Sequence, residues 1–188
     1  MRSENYQEAK NMFFLYRGNG FNMWHDGVID KYDTFEVPRE LENKWYEEYV
    51  EEKIQQLRTE INKDKITSLF FDLGEATEQR GIGAKPFLFI IDYLKCERLK
   101  FDSFTLILLA GNLRRALKAY TRKYPNDKKT QKNVKTLCLE ILSGILDGPI
   151  TVSEDFSYMT HYDFSEENLR RRIEDEINQW DTKSDNKL

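Results

Sequence analysis

The chain has 188 residues, of which 33% are charged and 13% aromatic, and a formal net charge of -4. That length fits one domain able to bury its own core. The charge and aromatic content exclude a disordered chain, and the acidic balance runs against a general nucleic-acid binder. The sign is nevertheless unevenly spread: residues 36–60 carry eight acids and four bases, and residues 114–135 carry nine bases and one acid.

The longest apolar runs, PFLFII and LILLA, fall far short of the roughly 18–20 residues of a membrane helix. The opening MRSENYQEAKN lacks the apolar centre of a signal peptide. A soluble, cytoplasmic protein without membrane contact is expected. No Ser/Gly/Pro-rich linker divides the chain, so one helical domain is expected over residues 1–182, with a frayed tail at 183–188.

In chain order, MFFLYR (Met12 to Arg17) reads as a short strand or a buried lead-in. Trp24, Val28, Ile29, Tyr32 and Phe35 follow at helical spacing. A long helix is expected from Pro38 to about Asn62. Its apolar face shifts partway: Leu41, Trp45 and Tyr49 form one stripe, while Val50, Ile54, Leu57 and Ile61 form another, rotated by more than about 100°. The helix therefore bends or touches two elements. Asp64 is placed to cap a helix reaching Gln79, and RGIGAKP ends it. Pro86 opens the next helix, and Asp102 or Ser103 opens one reaching Tyr124. The FTLILLA start of that helix is apolar on every side, as in a helix at the centre of a domain. A further helix covers Lys128 to Leu146. ITVSEDFSYMTHYDF reads as a small hairpin or an extended loop, and Ser165 caps a last helix. The expected class is mainly α, with six or seven helices and at most a minor short strand or hairpin.

Chemical motifs are few. RGNG and RGIGAKP share only glycines with phosphate-binding loops, and Lys85 is followed by a proline with no N–H to offer. RGNG reads as a turn, with Gly18, Asn19 or Gly20 at positive φ. From this turn Arg17, Asn19, Asn22 and Trp24 project as candidate contact residues. His25 and His161 belong to no metal pattern, and His25 next to Asp26 would point about 100° away from it in a helix. Cys96 and Cys138 read as buried free thiols. No catalytic residue, metal ligand or cofactor site is assigned. The bases of 114–135 read as solvated helix faces or as a phosphate-contacting patch. On the acidic helix, Glu40, Glu47 and Glu51 share a face with Glu48 nearby, beside Trp45, Tyr46 and Tyr49. Aromatics ringed by charge are a common interface design.

The YRGN lead-in, then DGVIDKY, then a Pro-begun acidic helix containing LENKWYEEYV, resembles the N-terminal part of small bacterial immunity proteins that accompany secreted or contact-delivered toxins. The resemblance covers residues 1–60. It implies a non-enzymatic protein that binds one cognate toxin, often a nuclease, and blocks its active site. The residues expected to bind that partner are Arg17, Asn19, Trp24, Trp45, Tyr46, Glu47, Glu48 and Glu51. The alternative is a helical enzyme or nucleic-acid-handling protein that uses the basic 114–135 segment.

Overall fold

The computed structural model describes residues 2–77 and 82–181. Among them are nine α-helices and no strand: α1 (Arg2–Leu15), α2 (Gly20–His25), α3 (Ile29–Asp33), α4 (Arg39–Thr59), α5 (Lys63–Ala76), α6 (Lys85–Glu97), α7 (Ser103–Lys123), α8 (Lys128–Leu146) and α9 (Glu166–Asp181). Short 3₁₀ turns lie at Arg98–Lys100 and Glu154–Phe156. The mainly helical expectation holds, and the helix number exceeds it at the N-terminal end. The run MFFLYR is neither strand nor lead-in; Met12 to Leu15 are the last turn of α1. The single helix expected around Trp24–Phe35 is two, separated by Gly27 at φ 71°. The expected end at Gln79 and the tail at 183–188 lie outside the described residues.

The long helices begin where short polar side chains accept orphan backbone N–H groups. Asn62 rather than Asp64 caps α5, taking Lys65 N–H at 2.9 Å. Asp102 caps α7 through Thr105 N–H at 3.0 Å, Asp127 caps α8 through Thr130 N–H at 3.2 Å, and Ser165 takes Asn168 N–H at 3.4 Å.

α7 is the central helix and packs against α5, α8 and α9. Phe104, Thr105, Ile107, Leu109 and Ala110 of its apolar start are buried, and Leu113, Ala116 and Tyr120 continue inward. Leu108 turns toward a second apolar cluster built on Phe104, Phe156 and Leu169. α5 approaches α7 closely at Gly74, where an added Cβ would lie 2.9 Å from the Ala116 Cβ.

Residues 150–164 form no hairpin. They lie as a loop over the start of α7, because their aromatics find partners there rather than on a second strand. Phe104 meets Phe156, Tyr162 and Phe164 at ring distances of 4.9, 5.2 and 5.0 Å. Ser103 N–H donates to Thr151 Oγ1 and Thr151 N–H to Ser103 Oγ, both at 3.1 Å. Asp155 accepts from Asn62 Nδ2 at 3.0 Å and from Lys63 N–H at 2.6 Å, which fixes the start of α5. Arg170 of α9 donates to the Leu146 and Gly148 carbonyls at 2.9 and 3.0 Å, satisfying the end of α8.

Cys138 is buried, and burial pushes its thiol pKa up, with the Glu176 charge adding to the effect. Cys96 is exposed on α6, which corrects the expectation that both thiols are internal. Two measurements check this packing. Gly74→Ala is expected to destabilise the protein by about 1–3 kcal/mol through overpacking. Gly144→Ala, where a Cβ meets nothing within 4 Å, is expected to stabilise α8 by up to about 1 kcal/mol. Urea titration reads both, and equal gains at the two sites would show that α5 and α7 are not in tight contact. A thiol reagent at mild alkaline pH is expected to modify Cys96 alone in the native protein and Cys138 only after denaturation. Rapid native modification of both would overturn this burial.

Candidate interaction site

α4 buries two stripes because it touches two elements, α1 along its first half and α5 along its second. Phe13 of α1 packs edge-on against Trp45 at 5.5 Å and Tyr46 at 4.6 Å, and Phe14 does the same against Tyr49 at 5.6 Å. Trp45 and Tyr46 are therefore 4% and 9% exposed. They are core residues and not the surface anchors expected of them, since α1 covers the ridge on which they stand.

Glu47, Glu48 and Glu51 do lie on the exposed face of α4. Glu48 pairs with Lys10 of α1, and Glu51 lies 3.5 Å from Lys85 of α6. A hydrogen bond from the Gln55 amide, and then the Lys85 charge, hold the Glu51 carboxyl below its usual range. The face keeps acidic residues but has no aromatic among them.

The RGNG stretch is a helix stop followed by a helix start. Gly18 N–H donates to Phe13 O at 2.7 Å and Arg17 N–H to Phe14 O at 3.2 Å. This is the Schellman pattern, which closes the orphan carbonyls of α1. The left-handed residue that this pattern needs is Arg17, at φ 55°, followed by Gly18 at φ 62°. Asn19 and Gly20, expected as alternatives, do not take positive φ. Asn19 is the cap of α2, accepting Asn22 N–H at 3.2 Å, and Gly20 opens that helix. Glycine is required at 18 for a second reason. The Tyr46 hydroxyl donates to the Gly18 carbonyl at 2.7 Å, and a Cβ on Gly18 would overlap the Tyr46 hydroxyl and the Phe13 ring. Burial raises the Tyr46 pKa, and Glu42 adds to the effect, so its hydroxyl stays a donor.

Arg17 reaches from this turn across to α5. Its guanidinium lies over the Phe71 ring at 5.4 Å, and its Nε is 2.7 Å from Asp72 Oδ1. The N–H does not point at that oxygen, so Asp72 Oδ1 is buried without a hydrogen bond. Lys53 Nζ is 4.0 Å from Asp72 Oδ2. Asp72 is 8% exposed. The Tyr49 hydroxyl sits beside the same pair; burial raises its pKa most, with the Asp72 charge next. Arg17 and Asn22 line two clefts at once. One, of about 300 Å³, continues along Leu15, Tyr16, His25 and Asp26. The other, of about 220 Å³, runs to Tyr46, Tyr49, Phe71 and Asp72.

The end of α1, and α2 after it, set apolar side chains on the outside. Leu15, Phe21 and Trp24 are 74%, 67% and 64% exposed. Phe21 lies 5.9 Å from Trp24 and 6.5 Å from His25, ring to ring. His25 Nδ1 does meet Asp26 Oδ1, at 3.0 Å, because α2 ends between them; both side chains are exposed.

Of the eight expected binding residues, the structure brings Arg17 and Asn19 together in one cleft and sets Trp24 exposed on α2 against Phe21, outside both clefts. It leaves Glu47, Glu48 and Glu51 on the outer face of α4 and places Trp45 and Tyr46 inside. Leu15, Phe21, Phe71 and Asp72 were not expected in the site. Asp72 carried a readable signal: a carboxylate inside the inward stripe Leu69, Phe70, Leu73 and Ala76.

In the basic segment, Arg114 is committed to Glu176 at 2.6 Å. Tyr120 is buried and donates to Asp127 at 2.6 Å, so it is not available to stack on a base. Among the described residues no group of three or more His, Cys, Asp or Glu could hold a metal ion, and no helix is long and apolar enough to cross a membrane. No known family, curated protein or solved structure matches this chain.

The turn itself is testable. Gly18→Ala combines left-handed strain with overpacking and is expected to cost about 2–4 kcal/mol. Tyr46→Phe removes one hydrogen bond and is expected to cost about 0.5–1.5 kcal/mol. A loss under 1 kcal/mol for Gly18→Ala in urea titration would show that the clasp on this turn is loose.

Proposed function

We propose that this protein is a non-enzymatic binding module that docks a protein partner on the face formed by the α1–α2 turn and α2. The partner class we propose is a cognate toxin, in line with the resemblance to immunity proteins carried by residues 1–60. The observation that carries the reading is the exposed set Leu15, Phe21 and Trp24 beside Arg17. Three large apolar side chains at one exposed turn, beside an arginine, have the composition of interface hot spots, in which Trp and Arg are enriched. Their helix is held on a buried frame, so the partner meets a surface already in place.

The acidic face of α4 takes a secondary part. Glu48 and Glu51 are already paired within the chain, so their field is partly cancelled. What remains acts on encounter rather than on the lifetime of the complex.

The test is protection of cells that express the polypeptide encoded immediately upstream. Wild-type protein is expected to restore growth and to co-purify with that polypeptide. Trp24→Ala is expected to cost about 2–4 kcal/mol of binding, mainly as faster dissociation, with an unchanged melting temperature because the ring is exposed. Reversing Glu47 and Glu51 to Lys is expected to alter the association rate and its salt dependence only. An upstream product that is harmless, or that is not neutralised, removes the toxin reading. Full affinity in Trp24→Ala removes the docking face.

A further inference from the structure

The hairpin of α7 and α8 ends in cations that the fold does not use. Lys118 and Arg122 share a face of α7, and Lys128, Lys129 and Lys132 follow on the first two turns of α8; all five are exposed. Among the described residues none of the five meets a carboxylate, whereas Lys10, Arg17 and Arg114 are paired with Glu48, Asp72 and Glu176. The one acid of the segment, Asp127, is spent inside it: it accepts from the Tyr120 hydroxyl at 2.6 Å and caps α8. Every exposed residue from 118 to 136 is a cation, an asparagine, a threonine or Pro125, and none is acidic or aromatic. Stability does not account for this pattern. Lys128 and Lys129 fill the first turn of α8, which holds no acid, at the positive end of the helix dipole.

The surroundings select the partner. Protein interfaces are depleted in lysine and anchored by aromatic side chains, and this face presents no ring. A basic helix that lies on a bilayer sinks an apolar face into it. The apolar faces of α7 and α8 are already spent in the core, at Leu113 and Ala116 and at Val134, Leu137 and Ile141. A single strand stacks its bases on aromatic rings. Here Tyr120 is buried, and Tyr124 lies against it at 4.7 Å with Lys123 over its own ring at 5.5 Å. What the surface does offer is uncompensated charge on a rigid hairpin, which is all that contact with duplex phosphates requires. The net acidity of the chain does not oppose this, because exposed acids elsewhere are screened over about 8–10 Å at ordinary ionic strength.

We propose that the tip of the α7–α8 hairpin, through Lys118, Arg122, Lys128, Lys129 and Lys132, is a second interaction surface that binds the phosphate backbone of a nucleic-acid duplex without reading its sequence. It shares no residue with the docking face on α1 and α2, and the protein can hold both partners through separate elements.

The experiment is fluorescence anisotropy of the full chain with a mixed-sequence DNA duplex of about 20 base pairs over a salt series. Five phosphate contacts give a log–log slope of about -4.5, so binding is expected to weaken about 500-fold between about 50 and about 200 mM salt. A duplex of unrelated sequence is expected to bind equally, and an oligothymidine strand more weakly. The triple variant Lys128→Gln, Lys129→Gln, Lys132→Gln is expected to reduce the slope by about 2.7 and the affinity at low salt at least tenfold, with a melting temperature unchanged or raised. The pair Lys118→Gln, Arg122→Gln tests α7 independently, with a slope reduced by about 1.8. Lys44→Gln, Lys65→Gln and Lys95→Gln remove the same charge from exposed positions on other elements and are expected to leave binding unchanged. Absence of duplex binding at low salt, an equal loss in that control, or an unchanged slope in the α8 triple variant overturns the surface. Tighter binding of the strand, of phosphatidylserine vesicles or of polyglutamate than of the duplex overturns the choice of partner, and a tenfold preference between duplex sequences overturns backbone-only contact.

Discussion

The contact on which the molecule depends is the close approach of α5 and α7 at Gly74 and Ala116. Two helices can come that near only where side chains are small on both sides. Once they do, α7 is enclosed by α5, α8 and α9, and its first turns can be apolar all round. The same approach fixes the direction of α5. That direction sets Phe71 and Asp72 beside Arg17 of the α1–α2 turn, so the candidate site inherits its position from the contact between α5 and α7. The loop at 150–164 reinforces this from the other end, since Asp155 holds the first turn of α5.

α4 shows how the aromatic content is divided. A helix with six buried apolar and aromatic positions over two stripes must have a partner on each. α1 supplies the first, which draws Trp45 and Tyr46 inside and leaves acids outside. The Tyr46 hydroxyl, carried inward with its ring, then needs an acceptor. It finds the Gly18 carbonyl. One buried tyrosine thus couples packing of the long helix to the conformation of the turn that presents Arg17.

Much of this fold was legible in the sequence. The helices from α4 to α9 announce themselves by periodicity and, for α7 and α9, by the caps at Asp102 and Ser165. The centrality of α7 was readable from FTLILLA, and the divided face of α4 from its rotated stripes. α1 was not legible, because consecutive apolar residues from Met12 to Leu15 hide the spacing of Tyr6, Ala9 and Phe13. The hairpin reading of 150–164 failed for a tertiary reason: alternation records burial on one side, and here that side is α7 rather than a neighbouring strand. The site was half legible. Composition marks Arg17, Asn19 and Trp24 as unusual, but no local pattern states that Trp45 is covered by α1 while Trp24 is not. The meeting of Arg17 with Asp72, 55 positions apart, is a product of topology alone.

The turn also illustrates how stability and recognition share one segment. For the end of α1 alone, glycine at position 17 would remove left-handed strain of about 1–2 kcal/mol. Arginine keeps that strain and regains part of it through Phe71 and Asp72, interactions that are only partly shielded from solvent. The net effect on folding is therefore small, and stability by itself does not account for the choice. An arginine whose backbone is fixed by a Schellman turn, whose plane rests on an aromatic ring and whose guanidinium lies against a buried carboxylate has little rotamer freedom left to lose on binding. The cost of ordering that side chain is met during folding, before a partner arrives. The exposed rings of Phe21 and Trp24 follow within two turns of helix from the same clasped segment, so the apolar anchors and the oriented cation are presented as one rigid unit.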